Sequence, residues 1–412
     1  MKLTLLPGSL TIIIHSLRKP DGTYASCYNA ENYLFGLFSL MSIKRLKYLD
    51  GLRGIFALTV ALSHYFGSQL GWHNYPFQNA YISVDFFFIL SGFVLAHVYG
   101  IAIASGSMSN SKFIFYRFAR MYPLHIVSMV VVGIIYWVSQ RGLPFEEPLF
   151  SGVANIFLLQ NMGFVSGWSW NDPSWSISAE FWVSVFFVPW FIQRVKTNIL
   201  LLISLMCYAS LYTAYGSLMV GHEMMYGIVT AGFIRCIAGV ALGIAICRMA
   251  QWLPSRELNN GQSFILGSVD LLLFAVIINL VYQTTPIEKL SFLPIPLIAL
   301  LMLSLASSNS WFHKLIGNKF AVWLGDISYS VYLIHTPIIL IMGAILPSLN
   351  LSFTTKLIIF IIFTLVLSQI VHRYFERPCY EWLKQRFPGK QPPLKEASLD
   401  SINTNMAQRK KA

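Results

Sequence analysis

With 412 residues, 56% of them hydrophobic and only 11% charged, the chain is far more apolar than a soluble globular protein, where about a quarter of residues are charged. A mean hydropathy of +0.60 points the same way. The net charge of +12 does not make this a nucleic-acid-binding protein, because the basic residues sit in short clusters between apolar runs, as membrane insertion requires.

In chain order, residues 1–40 come first. The run "KLTLLPGSLTIII" is like a weak signal sequence, but Pro7 and Gly8 interrupt it and no clean cleavage site follows. Residues 1–40 are expected to be an N-terminal extension, such as a misplaced translation start would give. Met41 then opens "MSIKRLKYLDGLRG", a natural cytoplasmic lead into a first span. Ten apolar runs of about 20 residues follow, near 54–70, 81–101, 121–139, 174–193, 197–216, 228–248, 263–283, 290–307, 326–346 and 354–374. The chain is thus expected to be an all-α polytopic membrane protein, with its membrane domain over 41–380.

The loops test that count. Alternate connections hold Lys44, Arg45 and Lys47, then Lys112, Arg117 and Arg120, then Arg194 and Lys196, then Arg248 and Arg256, then Lys314 and Lys319, then the basic tail. The other connections hold little beyond Arg141, Lys289 and Lys356. The positive-inside bias therefore predicts both termini in the cytoplasm. The longest outward connection, about 140–173, carries Glu146, Glu147 and Asp172 with Trp168, Trp170 and Trp175, which suit either an interfacial aromatic belt or a surface for sugar stacking. Residues 381–412 read as a polar cytoplasmic tail, partly disordered. The five cysteines, Cys27, Cys207, Cys236, Cys247 and Cys379, lack ligand spacing and read as packing residues, so no metal is expected.

Ionisable groups at membrane depth cost several kcal/mol, so each one is a functional candidate. Arg53 and His64 are eleven residues apart, which places them on one helix face with a rise of about 16 Å. A histidine there suits a general base. Asp85 in the second span and Glu180 in the fourth are expected in the outer half near His64, as orienting carboxylates or as arginine partners; Ser176 shares the face of Glu180. Arg235, aligned with Gly239 and Gly243, reads as the buried arginine that pairs with a carboxylate and organises the site. Arg117 and Arg120, at i and i+3, present two guanidiniums at the cytoplasmic end of the third span and suit a phosphate-rich ligand. Tyr329 and His335 lie on the ninth span with Asp326 and Tyr332, and Glu376-Arg377 reads as a helix-end cap.

The runs "LDGLRG…H", "VDFFFILSGFV", "RFAR", "WSISAEF", "ISYSVYLIH" and "FERP" follow one another in the order typical of the acyltransferase 3 family, and the chain resembles that family over about residues 45–380. These are integral-membrane acyltransferases, many of which O-acetylate bacterial surface glycans. The resemblance implies residence in the bacterial inner membrane, with His64 as the catalytic histidine and Arg53 as its motif partner. It associates Arg117 and Arg120 with the acyl donor, usually acetyl-CoA, and gives Glu180 as the essential acidic position. Ala179 and Trp182 depart from the residues of many relatives without touching the chemistry. No appended hydrolase-like domain is recognisable, so the stand-alone form is expected.

The expected reaction is acyl transfer from acyl-CoA to a hydroxyl of a surface glycan or lipid-linked saccharide, with Asp85 or Glu180 setting the tautomer of His64. Direct transfer and a covalent relay both remain open, as do acceptor identity and homo-oligomer formation among the membrane lipids. The alternative is a proton-coupled transporter or flippase using the same intramembrane histidine, carboxylates and arginines. No Walker A loop supports nucleotide-driven pumping.

Overall fold

The computed structural model of the protein describes residues 45–139, 142–143, 147–165, 167, 170–225, 227, 229–253, 258–345 and 350–386. The N-terminal extension, most of the polar tail, Cys27, Lys44, Arg141, Glu146, Trp168 and Arg256 lie outside the described residues. The chain folds into α1 (Lys47–Leu70), α2 (Tyr81–Ala104), α3 (Asn110–Val138), α4 (Pro148–Ile156), α5 (Trp175–Phe186), α6 (Val188–Arg194), α7 (Thr197–Tyr215), α8 (Ala231–Trp252), α9 (Asn260–Tyr282), α10 (Pro294–Ser307), α11 (Trp311–Ile316), α12 (Lys319–Asp326), α13 (Ser328–Ile345), α14 (Phe353–Val371) and α15 (Arg377–Arg386). One departure from all-α is a short antiparallel hairpin, Met224–Met225 with Val229–Thr230.

Among the described residues, nine helical stretches are long and apolar enough to cross a membrane, and they match the second to tenth expected spans. Helix α1 is not one of them. Its 24 residues could cover about 36 Å, but Asp50, Arg53, His64 and Gln69 dilute its apolar run. The bundle is a polytopic membrane protein in which the most polar long helix carries the most chemistry. Three boundaries differ from expectation. Ser109 caps α3 by accepting from the Lys112 amide, so the helix begins well before residue 121 and contains Arg117 and Arg120. The fourth span breaks between α5 and α6, where Pro189 supplies no amide to the preceding turn. The last span continues past residue 374 through a π-helical turn, His372–Glu376, into α15, so residues 381–386 are helical rather than tail.

Helix α8 is the most enclosed of the spans, and its interface with α2 is the most extensive in the bundle. Small residues make it possible. A Cβ at Gly243 would sit 1.9 Å from the Ile89 carbonyl oxygen, and one at Gly92 would sit 2.2 Å from that of Val240. The two backbones therefore touch, and dispersion and close packing do the work that the hydrophobic effect cannot do in lipid. One end of this seam is pinned by an ion pair. Arg235 donates to both oxygens of Asp85 at 2.6 and 3.3 Å, and also to the Tyr81 carbonyl at 3.0 Å. Its guanidinium lies over Trp175, 5.6 Å from the ring centroid. Both charged side chains are essentially unexposed, at 1% and 0%.

A second tight contact joins α1 to α12. A Cβ at Gly54 would sit 2.6 Å from the Gly325 amide nitrogen, and one at Gly325 would sit 2.1 Å from the Asp50 carbonyl oxygen. Outside these seams, α7, α9 and α14 present Leu205, Phe264, Leu272 and Ile362 to the exterior, the surface that lipid would cover.

Gly243→Leu should push α2 from α8 and abolish recovery of monodisperse protein in detergent, whereas Gly343→Leu, where no neighbour approaches within 4 Å, should be tolerated. Asp85→Leu should strand a buried guanidinium at a cost of about 3–5 kcal/mol, seen as a fall in thermal unfolding temperature. Adding Arg235→Met should recover part of that loss.

Candidate active site

Helix α13 is the spine of the site, because successive turns carry Tyr329, Tyr332 and His335 towards the same interior. At its lower end lies a cavity of about 380 Å³ whose wall includes Arg53, Arg117, Arg120, Glu180, Ser176 and Tyr332. Arg117 and Arg120, expected to handle the donor, thus face one space with Arg53. Each is held by the protein. Arg53 donates to the Gly325 carbonyl at 2.7 Å and lies 3.3 Å from Asp50, a geometry set by the tight α1–α12 contact. Arg117 pairs with Glu180. Arg120 pairs with Glu376 and lies over the Tyr329 ring, 5.2 Å from its centroid.

The Arg117–Glu180 pair is deeper than the sequence pattern suggests. Glu180 Oε1 also accepts from Ser91 Oγ at 2.7 Å, and Ser91 is thirteen residues, about 20 Å, from the end of α2. Arg117 belongs to the interior, not to the membrane edge. Its Nε is buried with no hydrogen-bond partner among the described residues. Glu180 Oε2 makes no bond there either and remains accessible.

Glu376 is a site residue that sequence reasoning set aside as a helix cap. Its carboxylate is 2% exposed, receives Arg120, accepts from Ser330 Oγ at 2.6 Å and lies 3.2 Å from His372 Nδ1. The local sequence explains the inward aim. Pro378 offers no amide to the carbonyl four residues back, and the Arg377 amide instead bonds to His372 O, five residues back. The chain takes a π-turn, and the extra residue rotates Glu376 towards α3 and α13. The "FERP" run carries this signal, though its proline effect is legible only beside the helix it bends.

Further along α13, His335 is fully buried, and His64 beside it is half-buried. His64 Nδ1 and His335 Nε2 are 2.7 Å apart, with the rings stacked at a centroid distance of 5.0 Å. His335 Nδ1 lies 3.0 Å from the Val331 carbonyl oxygen. A carbonyl only accepts, so His335 Nδ1 carries its proton. In a neutral pair His335 Nε2 must then accept, which makes His64 Nδ1 the donor. The lone pair of His64 Nε2 is left over, and no described residue bonds to it. This chain can take a proton at one defined atom and spread the resulting charge over two rings and a carbonyl.

The carboxylates expected beside His64 are elsewhere. Asp85 is consumed by Arg235, outside the cavity wall, and so is a structural ion-pair partner rather than an orienting group. Glu180 lies four residues, about 6 Å, further along α5 than Ser176. Ser176 Oγ itself is 2.7 Å from the Tyr332 hydroxyl, which donates to the Pro173 carbonyl at 3.0 Å. Ser176 and Tyr332 both stand in the cavity wall, whereas neither His64 nor His335 does. Tyr329 donates to the Met121 carbonyl and holds α13 to α3. In the long connection, Trp170 packs on Gly133 and Gly152, and Trp175 packs on Arg235, so neither forms a free sugar platform. Asn171 fixes the connection by donating to Ser128 Oγ and Leu333 O.

Comparison with known proteins gives these contacts a family. The chain is 27% identical over 391 residues to the acyltransferase MdmB of Streptomyces mycarofaciens, covering 85% of this chain and 96% of that one. It is 24% identical over 356 residues to the peptidoglycan O-acetyltransferase OatA of Listeria monocytogenes, covering 80% of this chain and 55% of that one. A 104-residue stretch, 24% of this chain and 50% of the relative, is 36% identical to protein 2 in the picA locus of Rhizobium radiobacter. The chain therefore spans about half the length of the last two relatives. No solved structure matches it. The family model for the acyltransferase domain matches residues 46–373, nearly the whole helical bundle, and the chain belongs to the acyltransferase 3 family.

Proposed function

We propose that the protein is an O-acyltransferase of the bacterial inner membrane, moving an acetyl group from acetyl-CoA to a hydroxyl of a surface glycan or lipid-linked saccharide. Membership of an acyltransferase family supports the reaction class. A relative named as a peptidoglycan O-acetyltransferase supports a glycan acceptor. The observation that carries the mechanism is the ordered chain from His64 through His335 to the Val331 carbonyl, which leaves the Nε2 of His64 as a base.

In this reading the donor enters from the arginine end. The slender pantetheine arm lies in the cavity, and the buried Nε of Arg117 supplies a donor for one of its oxygens. The thioester reaches His64 when the Ser176–Tyr332 hydrogen bond opens. His64 Nε2 takes the acceptor hydroxyl proton as that oxygen attacks the thioester carbonyl. The carbon–sulfur bond breaks, and the departing thiolate takes the proton back from Nε2. Positive charge on His64 during the attack is stabilised through its hydrogen bond to His335.

His64→Ala should lower acetyl transfer by about 10²–10⁴-fold, measured with radiolabelled acetyl-CoA on purified protein in nanodiscs. A folded variant with wild-type turnover overturns the assignment. His335→Leu should reduce kcat by at least about tenfold with little change in KM, and His335→Gln should restore much of it, because an amide oxygen can again accept from His64 Nδ1. Equal losses in the two variants would show that position 335 serves packing alone. Mass spectrometry of surface glycans with and without the gene should show one acetyl mass on a particular sugar.

A further inference from the structure

The three cavity arginines carry little net positive charge, because Asp50, Glu180 and Glu376 each hold one of them. A cavity of about 380 Å³ is also at the small end for a ligand site, roomy enough for a thin arm and too small for a nucleotide as well. The anionic end of the donor needs another place. The mouth of the cavity supplies one. Tyr99, Tyr116 and Tyr380 form its wall at the ends of α2, α3 and the start of α15. Lys384, one turn further along α15, holds its ammonium 5.9 Å from the Tyr116 ring centroid and 5.7 Å from that of Tyr380. Among the described residues no carboxylate forms an ion pair with Lys384. Lys112 adds a second cation over Tyr116, 5.7 Å from its ring centroid.

We propose that Lys384, backed by Tyr116 and Tyr380, binds the 3′-phosphate of the donor nucleotide, which makes α15 a donor-specificity element. This rests on the reading of acyl-CoA as donor. It moves the nucleotide from the arginines to the mouth and leaves the arginines to the arm and its nearer phosphates. An ammonium over two tyrosine faces is held in place without being neutralised, so a phosphate meets a positioned cation whose charge is unspent. Helix α15 starts at Arg377, beyond the family match at residue 373, so this element stands outside the matched domain. Its location follows from the same π-turn that aims Glu376: without that turn, α15 would leave α3 on a different face.

The test compares acetyl-CoA with acetyl-dephospho-CoA, which lacks only the 3′-phosphate, on the full chain in nanodiscs. The wild-type protein should prefer acetyl-CoA in kcat/KM by about tenfold. Lys384→Ala should bring that preference close to one, through KM for acetyl-CoA, and Lys384→Arg should keep most of it. An unchanged preference in Lys384→Ala overturns the proposal while acyl transfer from acetyl-CoA stands. Equal weakening of both donors also overturns it and assigns Lys384 to lipid headgroup phosphates. Turnover of neither donor by the wild-type protein would sink the acyl-CoA reading and this inference together.

Discussion

Burying a guanidinium in a membrane protein without a counter-charge is costly, and four arginines of this bundle, Arg235 fully buried and Arg53, Arg117 and Arg120 partly so, each meet a carboxylate. Arg53 has Asp50, Arg117 has Glu180, Arg120 has Glu376 and Arg235 has Asp85. Each pair except the first joins two distant helices, so the ion pairs are also the ties between α3 and α5, between α3 and the end of α14, and between α2 and α8. The pairs differ in kind. Arg235 is held by one carboxylate and two carbonyls and is not part of the arginine cavity's wall. Arg117 faces the cavity, and its buried Nε has no hydrogen-bond partner among the described residues.

Close backbone contact is the second requirement, and it decides where the charges point. Gly54 and Gly325 bring α1 and α12 near enough for Arg53 to reach the carbonyl of Gly325. The Gly92 and Gly243 contacts bring α2 and α8 near enough for Asp85 to meet Arg235. A methyl group at any of these positions would collide with backbone, which cannot rotate away as a side chain can. The π-turn before Pro378 does similar work by different means, since a lost backbone donor there becomes an inward-facing carboxylate.

The arginines line the cavity and the histidine pair does not, while Ser176 and Tyr332 stand in the cavity wall. That division matches the two physical demands of the proposed reaction. A polyanionic donor needs a charged, water-accessible approach, whereas a neutral base is better kept away from cationic groups that would depress its proton affinity. About 16 Å of helix α1 separates Arg53 from His64 and keeps the two demands apart.

Much of this was legible in the chain itself. Runs of apolar residues near twenty long gave the spans, since lipid thickness leaves little freedom in length. The charges in those runs marked the candidates, because lipid tolerates few without a purpose. Helical periodicity put Arg53 and His64 on one face, and put Gly239 and Gly243 beside Arg235. What could not be read was who meets whom across the bundle. Asp85 and Glu180 were the expected partners of His64, and one-dimensional spacing gave no reason to set His335 above them. Only packing decided that His335 stands 2.7 Å away while both carboxylates are bound to arginines. Glu376 read as a helix cap and Lys384 as tail for a related reason: their positions depend on a change of helical pitch at residues 372–376, and a phase shift of one residue moves every later side chain to another face. Composition and periodicity are properties of the chain and determine which segments enter the membrane; the pairing of charges is a property of distances between segments, and only the folded bundle has those.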